Sequence, residues 1–315
     1  MKISVIVPAF NEEENIGTCL QALQAQTLAK EDFEVIVVDN GSTDATAERA
    51  NLQEAGIHLR VVSHARMGIS EARNFGASLG NGDVLAFLDA DCISNPNWLE
   101  EALKVAPQNC LWGAHYLIPD DATWIGKIWF QYQATEHEGH VSFIPAGSLL
   151  MRRAEFNRIG GFNIAAETSE DVEICDRARS FGMDVIAFPS LAVVHMGTPR
   201  TLQHFYKQNR WHGKHVVPMF FSRLPSLKHL PIVALSLYTL LMLGVAVVLT
   251  ILAFLYPTAK LALIVWLLLL LPSLLLAVKK TAVSRRPQDA PRIFILYLTY
   301  FLARADAAAR MVFGL

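Results

Sequence analysis

Two acidic pairs in this chain have the spacing of groups that do chemistry. The first is Asp89-Ala90-Asp91, in the stretch VLAFLDADC, where an apolar run ends directly on two carboxylates separated by one alanine. A buried strand tolerates charge at its end if that end opens into a cleft. There a divalent cation can neutralise the pair, and Mg²⁺ or Mn²⁺ takes one or two carboxylates together with phosphate oxygens. The second pair is Glu170-Asp171, in ETSEDVEICDRARSFG. Ser169 can cap a helix whose first turn carries Glu170, Asp171 and Glu173, with Val172, Cys175 and Ala178 on its inner face. The helix dipole favours carboxylates there by a few tenths to about 1 kcal/mol, which explains the pair without chemistry. A general base must also be ionised, so the residues alone leave both readings open.

The elements that must position these acids are legible as β-branched runs. Ile3–Val7, Val35–Val38, Leu59–Val62 and Val84–Leu88 read as short, buried, parallel strands. Between the first two the spacing predicts a helix capped by Asn11, with Glu14 three residues on and Ile16, Leu20 and Leu23 on one face. Ser42 or Thr43 opens a second helix that ends before Gly56. Such alternation predicts an α/β sheet with right-handed crossovers, and in such sheets ligands gather at the carboxyl ends of the strands. The residues after the strands are Pro8-Ala9-Phe10-Asn11-Glu12, Asp39-Asn40-Gly41-Ser42-Thr43-Asp44 and Asp89-Ala90-Asp91. Adjacent strands would bring these polar clusters to one edge of the sheet.

The blocks VIVPAFNEEENI, VVDNGSTDAT, ARNFGASLGNGDVLAFLDADC, PAGSLLMRRAEFNRIGGF and SEDVEICDRARSFG occur in this order. Together they resemble glycosyltransferase family 2, the inverting GT-A enzymes that use nucleotide sugars, over roughly Ile3 to Trp211. The resemblance implies a Rossmann-like GT-A catalytic domain and lends roles to residues. Pro8, Phe10, Asn11 and Glu12 would line the nucleotide pocket, and Asp39 would contact the base. Many relatives carry a second aspartate where this chain has Asn40, which puts the base contact in doubt. Arg73 would lie near the diphosphate or base. Asp91 would be the direct ligand of Mg²⁺ or Mn²⁺, with Asp89 nearer the ribose or a metal-bound water. Asp171 would be the catalytic base, with Glu170 beside the acceptor or diphosphate. His195 is either a further metal or diphosphate ligand or a histidine serving a local hydrogen bond. Arg210-Trp211, placed at the acceptor or diphosphate, resembles the Q-x-x-R-W element of processive members. Gln208 sits one residue too near, so the motif does not support processive synthesis.

The second half of the chain differs in character. Pro231–Tyr256 and Leu261–Val278 are almost wholly apolar, and roughly 25 helical residues span the hydrocarbon core of a bilayer. Neither has the polar stripe of a soluble helix. The expected organisation is a catalytic domain over 1–222 and a membrane region over 223–315, with spanning helices at about 231–256 and 260–278. A third apolar segment, about 292–313, contains Arg304, Asp306 and Arg310 and reads as interfacial or re-entrant, with a third span as the alternative. Arg223 and Lys228 precede the hairpin, Lys279, Lys280, Arg285 and Arg286 follow it, and Lys260 lies in its turn. The positive-inside rule then puts the catalytic domain in the cytoplasm, at a membrane such as the bacterial inner membrane. MKISVIVPAFNEEEN lacks the pattern of a signal peptide. Cys19, Cys92, Cys110 and Cys175 show no C-x-x-C spacing, so no zinc or redox motif is expected. A net charge of −2 gives no electrostatic reason for a nucleic-acid partner.

These features predict transfer of a sugar from a nucleoside diphosphate sugar. A polyprenyl phosphate acceptor is already anionic and needs no base, so Asp171 argues for a hydroxyl on a lipid-linked glycan or glycolipid. The alternatives are a polyprenyl-phosphate glycosyltransferase, a non-catalytic membrane scaffold on a transferase fold, and a nucleotidyltransferase. The last usually carries a glycine-rich loop with a basic residue after the first strand, and PAFNEEEN has neither.

Overall fold

A computed structural model describes residues 2–53, 56–130, 137–166, 168–214 and 230–313. Two compact units divide the chain: Met1–Asp121 with Gln133–Thr198, and Ala122–Tyr132 with Pro199–Leu315. The expected boundary at 222/223 lies outside the described residues.

The strands are β1 (Ile3–Ala9), β2 (Phe33–Asp39), β3 (His58–Ser63), β4 (Val84–Phe87), β5 (Cys92–Ile93), β6 (Cys110–Gly113), β7 (Gly139–His140), β8 (Leu149–Arg152), β9 (Asp184–Ala187) and β10 (Val194–His195). The helices are α1 (Ile16–Gln24), α2 (Thr46–Asn51), α3 (Ile69–Leu79), α4 (Trp98–Val105), α5 (Trp124–Phe130), α6 (Arg153–Ile159), α7 (Glu170–Ser180), α8 (Leu202–Gly213), α9 (Leu230–Leu252), α10 (Ala259–Ser284) and α11 (Ala290–Phe313).

In the first unit the main sheet runs β3-β2-β1-β4-β8-β6-β9-β7, and β5 pairs with β10 in a second small sheet. β1 is parallel to both β2 and β4, and β3 is parallel to β2. The strand order therefore reverses between β1 and β4, the kind of switch point at which α/β sheets bind ligands. β1 is buried throughout, so alternate residues feed opposite layers. Ile3, Val5 and Val7 pack with Leu20, Leu23 and Trp98. Ile6 packs with Val38, Phe87, Phe156 and Phe162 on the other face. Each such side chain contributes roughly 1.5–3 kcal/mol when fully buried, which holds the strand ends in fixed register. β8 joins β4 antiparallel, in the register Val84↔Arg152 to Phe87↔Leu149.

Several expected caps are corrected. α1 starts at Ile16, and Asn11 does not cap it. Asn11 takes a left-handed conformation, φ 55°, and its side-chain carbonyl accepts the Thr43 N–H at 2.9 Å. Satisfying the neighbouring strand-end loop takes this side chain away from the helix. α2 starts at Thr46 rather than at Ser42 or Thr43, because Ser42 and Thr43 are engaged by Asn11 and Asp44 accepts the Thr46 N–H at 3.0 Å. Ser169 stands before α7, but with φ 59° and no capping bond from its side chain. The inner face of α7 carries Glu170, Ile174, Cys175 and Ala178, so Ile174 takes the place expected of Val172.

In the second unit, Thr201 caps α8, accepting the His204 N–H at 3.1 Å. Among the described residues, two helices are long and apolar enough to cross a membrane, α9 with mean hydropathy 2.6 and α10 with 2.8. Leu241, Val248, Leu267 and Leu275 project outward from them. Tyr238 donates to the Leu268 carbonyl at 2.7 Å and Trp266 Nε1 to Thr250 Oγ1 at 3.1 Å, which ties the hairpin together. α10 extends past the expected end at 278 and contains Pro272. The segment expected at 292–313 is one continuous helix, α11. Its Asp306 accepts from Tyr206 at 2.9 Å, Arg210 at 3.3 Å and Arg310 at 3.0 Å, so this acid is paired three times.

Candidate active site

The ends of β1, β2 and β3 are flush, with Ala9 opposite Asp39 and Asp39 opposite Ser63. Pro8 lies inside a central strand, where a missing N–H would ordinarily cost a ladder bond. It is tolerated because the ladder to β4 has already stopped at Ile6↔Phe87. The sheet therefore parts at Pro8, between the strands that carry Phe10-Asn11-Glu12 and Asp89-Ala90-Asp91. Phe10 is 38% exposed, and the Arg66 guanidinium lies 3.5 Å from its ring centroid. Asp39 is buried, and its Oδ1 accepts the Ser42 N–H at 3.2 Å. Asn40 is only 2% exposed. Its side-chain amide donates to the Met67 carbonyl at 3.0 Å and accepts the Met67 N–H at 2.8 Å. Asn40 therefore clamps the loop after β3, a task that an aspartate could only half perform.

At the centre is Arg73, on α3 and 3% exposed. Its Nη2 donates to Asp89 Oδ1 and its Nη1 to Glu170 Oε1, each at 2.6 Å. Buried, doubly charge-assisted pairing of this kind is among the stronger polar contacts in proteins. It links the acid after β4 to the first turn of α7. The other oxygen of Asp89, Oδ2, accepts from the Tyr116 hydroxyl at 3.1 Å. That hydroxyl in turn accepts the Gly147 N–H at 3.0 Å.

Asp91 faces His195, with Oδ2 3.3 Å from Nε2. The Met196 N–H on the Asp91 carbonyl, at 2.8 Å, brings the two segments together. Burial pushes the Asp91 carboxyl above the ordinary range, against the pull of His195. Burial pushes Glu12 up to about 7, with Asp91, Asp89 and Asp44 adding to it and the Asn15 amide opposing. Burial also pushes Asp171 up to about 7, with Glu170 beside it. Asp171 has Oδ1 on the Val172 N–H at 2.8 Å.

A divalent cation fits this set. Asp91, Cys92 and His195 each offer one ligand atom within 4.8 Å of the others. His195 Nδ1 is buried with no hydrogen-bond partner among the described residues. A Cβ at Gly197 would stand 2.3 Å from Asp91 Oδ2 and 2.9 Å from the His195 ring, so the space beside both groups depends on glycine. Burial holds the Cys92 thiol far above its usual range, which leaves a carboxylate and an imidazole as the donors. Arg210 and Trp211 belong to the second unit, where Arg210 pairs with Asp306 and Trp211 is 46% exposed.

Tyr116, Arg66, Gly147 and Gly197 were not singled out from the sequence as site residues. Gly147 lies within the quoted PAGSLL block. Tyr116, in GAHYLIP, carries no local signal.

A family model described as Glycosyl transferase family 2 matches residues 4–160, and one described as Glycosyl transferase family group 2 matches residues 112–279. Glycosyltransferase AglE of Haloferax volcanii is 44% identical over 104 residues, 32% of this chain and 34% of that protein. Validoxylamine A glucosyltransferase of Streptomyces hygroscopicus subsp. limoneus is 34% identical over 219 residues, 58% of this chain and 48% of that protein. The chain thus spans about a third to a half of the length of these curated relatives. The mannosyltransferase PcManGT of Pyrobaculum calidifontis, solved in complex with GDP-Man and Mn2+, shares the fold with a TM-score of 0.62 at 18% identity. That match covers 99% of this chain and 87% of the other.

Proposed function

The chain belongs to glycosyl transferase family 2, and from that premise we propose that it moves a sugar from a nucleoside diphosphate sugar to a hydroxyl of a lipid-linked glycan or glycolipid at the cytoplasmic face of a membrane. The observation that carries this reading is the Arg73 bridge, which ties Asp89 to the helix that begins with Glu170-Asp171. It unites the two acidic pairs, one suited to the donor and one to the acceptor, in a single network.

In this mechanism Phe10, Asn11, Glu12 and Asp39 line the nucleotide pocket at the parted strand ends. Asp91 and His195 would hold a divalent cation, which when bound would supply positive charge against the leaving diphosphate. The acceptor oxygen bonds to the anomeric carbon from the face opposite the diphosphate, whose bond breaks, so the configuration inverts. Asp171 takes the proton of the acceptor hydroxyl. Its raised affinity for protons suits it to that task near neutral pH. The frame of Arg73, Asp89 and Glu170 would hold donor and base in register, which lowers the entropic part of the barrier. The imidazole in the donor set favours Mn²⁺ over Mg²⁺, which prefers oxygen ligands and retains its water. The PcManGT structure in complex with GDP-Man and Mn2+ supports this reading. The outward-facing side chains of α9 and α10 suit a lipid surface and support a lipid-borne acceptor.

The test is a donor screen on the detergent-solubilised protein, using UDP-, GDP- and dTDP-linked sugars with Mn²⁺ or Mg²⁺ and a lipid acceptor. The expected result is nucleoside diphosphate release that is higher with Mn²⁺ and abolished by a chelator. Failure to release nucleoside diphosphate from any donor, or release indifferent to the chelator, overturns the proposal.

A further inference from the structure

Tyr116 lies outside every motif that marks the family resemblance, yet it touches both halves of the proposed metal and donor site. Its hydroxyl donates to Asp89 Oδ2 at 3.1 Å and accepts the Gly147 N–H at 3.0 Å, so both capacities of the hydroxyl are used. Its ring is stacked on the His195 ring, centroids 4.5 Å apart and planes within 10°. A Cβ at Gly147 would come within 2.5 Å of the tyrosine oxygen and 2.6 Å of Asp89 Oδ2, so the backbone there approaches as closely as glycine allows.

We infer that Tyr116 is a positioning residue that holds Asp89 and His195 in one geometry. It rests on the reading that Asp91 and His195 take the cation and that Asp89 faces the donor. The two ends of the side chain do different things. The hydroxyl fills the one Asp89 oxygen that Arg73 leaves free, so Asp89 is held at both oxygens and its carboxylate plane cannot rotate. The ring fixes the plane of the imidazole. Nε2 then points at Asp91 Oδ2, 3.3 Å away, while Nδ1 makes no hydrogen bond among the described residues that could orient the ring instead. Metal-bound histidines are usually oriented by a hydrogen bond on their other nitrogen. Here a stacked aromatic face does that work.

The division of labour gives separable results. Tyr116→Phe keeps the stack and loses the hydroxyl. It should raise the donor KM about 10-fold and leave the Mn²⁺ concentration for half-maximal activity within about twofold of wild type. Tyr116→Leu also loses the stack and should raise that Mn²⁺ concentration by about 10–100-fold, the usual cost of removing a partner that orients a metal ligand. Mn²⁺ binding without donor, followed by the spin-resonance signal of the free ion on the full chain, provides a readout independent of turnover. A merely structural tyrosine predicts lowered melting temperatures with wild-type donor KM and Mn²⁺ affinity in both variants, and that pattern overturns the inference. If the leucine variant does not fold, the donor KM of the phenylalanine variant decides alone. A wild-type chain that binds no Mn²⁺ overturns the metal reading and this inference with it. Wild-type binding matched by both variants overturns the inference only.

Discussion

Replacing Asp171 by asparagine separates a catalytic from a structural carboxylate, because the two roles predict opposite signs in stability. Burial, with Glu170 beside it, pushes the Asp171 carboxyl from the ordinary 3.8 to about 7. The folded state therefore binds its proton more tightly than the unfolded state. The resulting stabilisation is complete below the unfolded value near 4 and is lost as pH rises through about 7. At pH 8 the ionised group destabilises the fold. At about 1.4 kcal/mol per pKa unit, full shielding would make this roughly 4 kcal/mol. Asp171 is half-buried, so about 2 kcal/mol is the figure to test, after discounting for contact with water. Asp171→Asn should then raise the melting temperature at pH 8 by about 4–8 °C, from roughly 2–4 °C per kcal/mol for a unit of this size. The gain should vanish at pH 4. In the same preparation turnover should fall by about 10²–10⁴, while calorimetric donor affinity stays near wild type. The acidic limb of kcat/KM, which rises with pH through about 7 as Asp171 ionises, should be absent from the variant. If Asp171 only complements the helix dipole, the variant loses up to about 1 kcal/mol at pH 8 and turns over normally. Near-normal turnover would refute the base assignment and reopen a phosphate acceptor. A lowered melting temperature at pH 8 would refute the electrostatic reasoning.

Arg73→Ala leaves Asp89 and Glu170 without their buried cation; a loss of about 3–5 kcal/mol is expected, seen as a fall in melting temperature of roughly 6–20 °C. Asn40→Asp puts a carboxylate against the Met67 carbonyl. It should cost about 1–3 kcal/mol in denaturant titration while leaving competition between UDP and GDP unchanged, because the side chain serves the loop rather than the base. For topology, the native cysteines are all buried, so a membrane-impermeant thiol reagent applied to intact cells should label a cysteine placed at Thr258 and spare one placed at Ser284. Labelling at Ser284 would refute the cytoplasmic placement of the hairpin's ends.

Local signals were sufficient for the first four strands and for the acids that follow the fourth. The β-branched runs located β1 to β4 within a few residues, because continuous apolar runs and strand propensity are carried by neighbours in sequence. An apolar run that ends on Asp89-Ala90-Asp91 put these acids just past the end of β4, where the structure has them. The same holds for α9 and α10, whose length and lack of a polar stripe require no knowledge of the rest of the chain. What the tertiary structure decided is how those acids are held. Arg73 meets Glu170 across 97 positions of sequence and Asp89 across 16. Asn40 meets Met67 across 27. Tyr116 meets His195 only because β5 and β10 pair and the chain at Leu117 runs beside Val194. The cap expected of Asn11 failed for the same reason. A side chain's hydrogen bond goes to the best partner in space, and for Asn11 that partner was the loop after β2. Burial and Coulomb interaction sum over neighbours brought in by distant segments, so the raised carboxyls of Glu12, Asp91 and Asp171 exist only in the folded chain.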